Sequence, residues 1–162
     1  MMILRQIVIP PSIDGPARQS ASVRKRQVTF IGICQTITVN IMDRSCLLII
    51  DDDAGMSKTL ADILRAKGYE PFAAGSGKDA LSLMERIPVN LALIDLGLPD
   101  ISGLDLLSKV KEEHPITEAI ILTGNATLDS AIEATNRGAF SYLVKPYEPE
   151  RLRLHIRRAL EK

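Results

Sequence analysis

Four short apolar runs in this chain each stop at a polar residue, and that repetition constrains the fold more than any other feature. Cys46 to Ile50 runs into Asp51, Asp52 and Asp53. Leu91 to Ile94 runs into Asp95, Ala119 to Leu122 into Thr123, and Tyr142 to Val144 into Lys145. Short continuous runs of this kind predict strands buried on both faces, as in a parallel sheet. In an open α/β sheet, ligands sit outside the carboxyl ends of the strands. The acids, the hydroxyl and the lysine therefore converge on one rim. That inventory suits a divalent cation and a phosphoryl group.

Helical spacing fills the gaps between the runs. Strands are expected over about 46–51, 69–74, 90–95, 118–123 and 140–145. The first helix, about 55–67, places Met56, Leu60, Ile63 and Leu64 on one face and stops at Gly68. The second follows a Gly75-Ser76-Gly77 turn with Ser76 as its cap, and buries Ala80, Leu81, Leu83, Met84 and Ile87. The third places Leu106, Leu107 and Val110 inward and is closed by Pro115. The fourth uses Leu128, Ala131, Ile132 and Thr135 and ends at Gly138. The last buries Leu152, Ile156, Ala159 and Leu160. Alternation of this kind predicts an α/β fold, (βα)5, with right-handed crossovers and helices on both faces. The doubly wound parallel five-stranded sheet of order 2-1-3-4-5, flavodoxin-like, is the common solution. It sets the first and third strands side by side, so that Asp51 to Asp53 face Asp95.

Residues 1–41 break this regularity with Pro10, Pro11, Gly15 and Pro16. They hold five basic residues against Asp14 alone, a net charge of +4, which leaves −4 for the remainder. The stretch from Val28 to Val39 could form a strand, but no partner for it is expected within this segment. We read 1–41 as a disordered extension, or an upstream translation that the native protein lacks, and 42–162 as the working domain. The mild acidity of that domain argues against a nucleic-acid footprint. No run reaches the roughly 18 apolar residues of a membrane helix, and the start does not read as a signal peptide. Neither cysteine, Cys34 or Cys46, falls in a CxxC or Cys/His cluster, so zinc is not expected.

Carboxylates gathered at one site repel, and a hard cation relieves that repulsion. Magnesium takes oxygen ligands and commonly uses one or two carboxylates with phosphate oxygens. Asp51 and Asp52 are candidate ligands. Asp53 reads better as the cap of the first helix. Asp95 is the candidate nucleophile, because a carboxylate can accept a phosphoryl group as an acyl phosphate. Lys145 would supply positive charge and Thr123 a hydrogen bond. His114, at a helix end before Pro115, and His155, on the last helix, read as surface residues. Arg151, Arg153, Arg157 and Arg158 give that helix a basic face.

Four segments together resemble the receiver domain of two-component response regulators. They are Leu47 to Asp53, Leu93 to Gly103, Ile121 to Gly124 and Gly138 to Tyr147, and they occur in the family's order. The resemblance implies a phosphorelay switch that works in the cytoplasm and is not itself an enzyme. It implies Mg2+ held by Asp51, Asp52, Asp95 and the backbone carbonyl of Gly97. It implies that Asp95 accepts a phosphoryl group from a phosphohistidine on a sensor histidine kinase or phosphotransfer protein. Thr123 and Lys145 would bind the phosphoryl oxygens, and Tyr142 would turn inward when Thr123 moves. The face made by the fourth helix, fifth strand and fifth helix would then meet an output protein or a second phosphorylated copy. Gly97 and Asn125 occupy positions that tune acyl-phosphate hydrolysis in such domains. The Lys145–Pro146 bond is often cis in the family this chain resembles, which fits proline's lower cis cost.

Two rival readings remain open on the residues. Asp51-x-Asp53 after a strand resembles haloacid-dehalogenase-like phosphatases, with Asp51 as nucleophile and Asp53 as general acid. Gly55 does not match that pattern, and Asp95 would have no task. The other rival is a phosphate-independent interaction module, against which the complete set of acids, threonine and lysine speaks.

Overall fold

From residue 46 onward, the expected alternation of strand and helix is present element by element in the computed structural model. It describes the backbone of residues 25–31 and 36–42 and the whole of residues 44–162. Two strands, β1 (Lys25–Ile31) and β2 (Thr36–Met42), pair antiparallel, with Val28 opposite Val39. This corrects the expectation that the Val28–Val39 stretch has no partner. It divides in two, and each half supplies the other's backbone hydrogen bonds. The reading of residues 1–41 as an extension falls largely on residues 1–24 and 32–35, which include Cys34 and lie outside the described residues.

The parallel sheet consists of β3 (Cys46–Ile50), β4 (Glu70–Ala74), β5 (Leu91–Asp95), β6 (Glu118–Thr123) and β7 (Ser141–Val144). Its order is β4-β3-β5-β6-β7, which is 2-1-3-4-5 among these five strands. Five helices connect and cover it: α1 (Ala54–Ala66), α2 (Gly77–Met84), α3 (Gly103–Glu113), α4 (Leu128–Asn136) and α5 (Pro149–Leu160). Strand alternation sorts the core into two layers. Leu48, Ile50, Ala92, Ile94, Ala119 and Ile121 face α2, α3 and α4. Leu47, Ile49, Leu91, Leu93, Ile120 and Leu143 face α1 and α5. Ile50 and Ile94, among others, are fully buried, and each such side chain contributes roughly 1.5–3 kcal/mol.

The helix ends follow the local signals. Asp53 caps α1 by accepting from the Met56 N–H at 2.9 Å, and Ser76 caps α2 by accepting from the Asp79 N–H at 3.1 Å. Gly68 and Gly138 sit at φ of 90° and 88°, the left-handed conformation that ends a helix. Two helical faces differ from expectation. On α1, Met56 and Ile63 are 39% and 37% exposed, while Ser57, Leu60, Ala61 and Leu64 are buried. On α4, Leu128 and Ile132 are 76% and 50% exposed, and only Ala134 is fully covered. In both cases the helix is rotated from the most apolar stripe. Small residues let α4 approach the sheet, and its larger apolar side chains face outward.

Candidate functional site

The switch point of the sheet brings three carboxylates together. β3 and β5 are neighbours, with Ile50 opposite Ile94, so the residues that follow them lie side by side. Asp51, Asp52 and Asp95 each offer a carboxylate oxygen within 4.8 Å of the others. Their environments differ. Asp51 is buried at 7% exposure, Asp95 is half-buried and Asp52 is exposed. Asp51 is fixed on two sides: Oδ1 accepts the Asp53 N–H at 2.9 Å, and Oδ2 accepts from Lys145 Nζ at 2.5 Å. Asp95 is held more loosely. Its Oδ2 accepts the Gly97 N–H at 3.3 Å, and its Oδ1 lies 3.4 Å from Lys145 Nζ.

Lys145 reaches the acids from the far side of β6. Its N–H donates to the Thr123 carbonyl at 2.7 Å, which carries the strand pairing one residue past β7. A cis Lys145–Pro146 peptide, which the family resemblance implied, follows immediately. Burial pulls the lysine's affinity for its proton down. The hydrogen bond to Asp51 and the charges of Asp51 and Asp95 more than offset this, so the ammonium is held above the ordinary lysine value. One cation thus faces three acids, and the cluster carries an excess of negative charge. Hard oxygen donors in this arrangement fit a magnesium ion, which would complete the neutralisation. Tyr147 lies beside the same group. Burial raises its phenol above the usual value; the nearby lysine opposes this and the two acids add to it.

Thr123 is buried at the end of β6, and its Oγ1 accepts the Asn125 N–H at 3.2 Å. Asp95, Leu96, Gly97, Thr123, Gly124 and Asn125 line an open cleft above the Asp95 carboxylate.

The loop from β5 to α3 is clamped in ways that sequence reasoning missed. A Cβ on Gly103 would lie 2.2 Å from the Asp95 carbonyl oxygen, so only glycine permits this approach. The Gly103 N–H donates to the Leu96 carbonyl at 3.1 Å and closes the loop. Asp100 accepts the Gly77 and Lys78 N–H groups, each at 2.9 Å. Those two amides, Gly77 first, hold its carboxyl below the usual range. The only sequence signal was an acid in a loop, which does not name a helix more than twenty residues earlier as its partner.

The remaining candidates separate cleanly. Asp53 caps α1 and Asp51 bonds Lys145. Tyr142 is half-buried against the layer beneath α4, and its hydroxyl meets Ser130 Oγ at 2.8 Å. His114 is the C-cap of α3. His155 Nδ1 lies 2.6 Å from Ser141 Oγ. Burial first, then Arg151 and Arg158, hold that imidazole below the ordinary histidine value.

The family model for the response regulator receiver domain matches residues 47–157. The chain belongs to that family. The luminescence regulatory protein LuxO of Vibrio campbellii is 37% identical over 115 residues, covering 70% of this chain and 25% of the relative. This receiver chain thus spans about a quarter of the length of such curated relatives. A CheY-like receiver domain protein from Methanospirillum hungatei matches with a TM-score of 0.71 and 35% identity, covering 73% of this chain and 94% of that one. The beryllofluoride-activated NtrC4 receiver domain dimer matches with a TM-score of 0.69 and 30% identity, covering 72% and 96%. Receivers of this kind act in phosphorelay signal transduction, as phospho-accepting switches. No helix among the described residues is long and apolar enough to cross a membrane.

Proposed function

We propose that Asp95 is the phosphoacceptor of this receiver and that residues 42–162 form the switching unit. The supporting observation is the position of Lys145 Nζ, 2.5 Å from Asp51 and 3.4 Å from Asp95, in a cluster of three acids. Asp51 is thereby tied to the lysine at short range, and Asp95, whose contacts are longer, is the acid that reacts. A magnesium ion held by Asp51, Asp52, Asp95 and the Gly97 carbonyl would supply charge neutralisation to the incoming phosphoryl group. An Asp95 carboxylate oxygen attacks phosphorus, the P–N bond to the kinase or phosphotransfer-protein imidazole breaks, and the imidazole leaves with the bond's electron pair. Lys145 and Thr123 meet the phosphoryl oxygens. The clamped loop keeps the Asp95 backbone still while its side chain changes charge.

The output follows from the same elements. Thr123 is drawn toward the phosphoryl group, and Tyr142 responds on the same sheet face. The α4–β7–α5 face shifts its population between two arrangements. Leu128, Ile132 and Val144 are exposed there, and they suit an output protein or a second copy of the chain, in the cytoplasm, that binds one arrangement more tightly.

Acetyl phosphate with Mg2+ tests this directly. Intact-mass spectrometry should show one added phosphoryl group, and borohydride reduction followed by peptide mapping should locate it on Asp95. Label on Asp51 with sustained turnover would instead favour the phosphatase. No label and no response to beryllofluoride would favour the phosphate-independent module.

A further inference from the structure

We propose that Ser130 is a positioning residue for the switch, holding the Tyr142 hydroxyl against α4 in the unphosphorylated state. This rests on the phosphoacceptor reading above and adds to it a named brake. Tyr142 lies opposite Ile121 and Val144 opposite Thr123 in the β6–β7 register, so Tyr142 and Thr123 share the sheet face that α4 covers. Tyr142 therefore sits where a moving threonine would be felt. Its ring is half-buried, and its hydroxyl reaches Ser130 Oγ at 2.8 Å.

Ser130 also closes the α4 capping box, at the third position of the helix that follows Thr123. The Thr127 N–H and Oγ1 each donate to Ser130 Oγ, at 3.1 and 2.9 Å, and Ser130 Oγ donates to the Thr127 carbonyl at 2.9 Å. The Ser130 N–H returns a bond to Thr127 Oγ1 at 3.1 Å. A serine hydroxyl has one hydrogen and two acceptor lone pairs. Three groups of Thr127 and the Tyr142 hydroxyl therefore compete for more bonds than Ser130 Oγ can make at once. When Tyr142 leaves, Ser130 keeps its Thr127 partners, so release strands no polar group on α4. The bond is easy to break, yet it biases the resting position. A neutral hydrogen bond of this kind shifts a two-state ratio by roughly threefold to tenfold.

Titration with beryllofluoride in excess Mg2+, followed by fluorine NMR of the bound anion, tests the brake. Ser130→Ala is expected to bind roughly threefold to tenfold more tightly than the native chain, because more of it already occupies the competent state. In a Tyr142→Phe background the same substitution should change nothing, since the pair is already broken. Thr127→Val loosens the helix cap and removes one competitor for Ser130 Oγ, so it should leave the affinity at or below native. Equal or weaker binding by Ser130→Ala overturns the brake. So does an effect of Ser130→Ala that persists in the Tyr142→Phe background, or one that Thr127→Val reproduces. A native chain that takes up no beryllofluoride would overturn the phosphoacceptor reading itself, which separates the two failures.

Discussion

The two ends of the parallel sheet both collect polar side chains, and they treat them in opposite ways. At the amino end, Asn90 Oδ1 accepts the Cys46 N–H at 2.8 Å, and Thr117 Oγ1 donates to the Val89 carbonyl at 2.8 Å. Glu118 lies between two lysines, with Lys111 at 3.3 Å and Lys162 at 3.2 Å. Lys111 also donates to the Thr117 carbonyl at 2.9 Å. Each of these charges has a partner of opposite sign, and the buried hydroxyl is satisfied. At the carboxyl end, Asp51, Asp52 and Asp95 cluster, and Lys145 pairs with Asp51 and Asp95 alone. At one end every charge is paired, and that end acts as a fastening. The other is left electrostatically short, and only a bound cation or a reaction completes it.

Substitutions that tell these ends apart should differ in sign as well as size. The largest effect is expected for Asp95→Asn, which should abolish acyl-phosphate formation from acetyl phosphate, read by intact mass, while the chain stays folded. Lys145→Ala should follow. It leaves the buried Asp51 beside its neighbours without a cation, and should lower stability by about 1–3 kcal/mol in chelator, discounted for partial solvent access. Millimolar Mg2+ should restore part of that loss in a denaturant titration. If magnesium has no effect on this variant, the acids do not form one site.

A sharper contrast comes from removing one acid at each end. Without divalent ions, Asp95→Asn should raise stability by about 1 kcal/mol, because it relieves repulsion. Glu118→Gln should lower it by about 0.5–1 kcal/mol, because it breaks satisfied pairs. Equal signs would erase the distinction between the ends.

The smallest effects concern pH. Lys145 is held above the ordinary lysine value, so its contribution is complete below about pH 10.4 and is lost only as pH rises through the higher folded value. His155 is shifted the other way. Its contribution is present above about pH 6.5 and is lost as pH falls through the depressed folded value, because the unfolded chain binds the proton more readily there. NMR titration of the His155 ring protons should give a midpoint below that of a histidine peptide. His155→Gln should flatten the corresponding slope of stability against pH.

Most of the site was legible because its residues sit at the ends of strands that sequence identifies strongly. Ile49-Ile50-Asp51 and Leu93-Ile94-Asp95 announce both a buried strand and its polar terminus. The order of strands then brings the acids together without further information. Asp53 was legible for a different reason: capping is a local interaction between residues three apart. The Asp100 clamp, the approach of Gly103 to Asp95 and the Ser130–Tyr142 bond were not legible. Each joins segments whose relative position depends on how loops and helices pack. The faces of α1 and α4 were misread for a related reason. Periodicity locates the most apolar stripe, whereas burial follows whichever side chains fit the sheet, and on α4 that is Ala134 rather than Leu128 or Ile132.

What the amino-acid order alone determined was the alternation of buried strands with helices, and the kind of side chain at each strand's carboxyl end. Both are properties of contiguous residues, written in hydrophobic pattern and spacing. What the tertiary structure decided was which acid is buried and bonded to Lys145, which stays half-buried beside it, and which hydroxyl meets Tyr142. Those outcomes depend on distances of a few ångströms between residues far apart in the chain, where desolvation and pairing strengths are set.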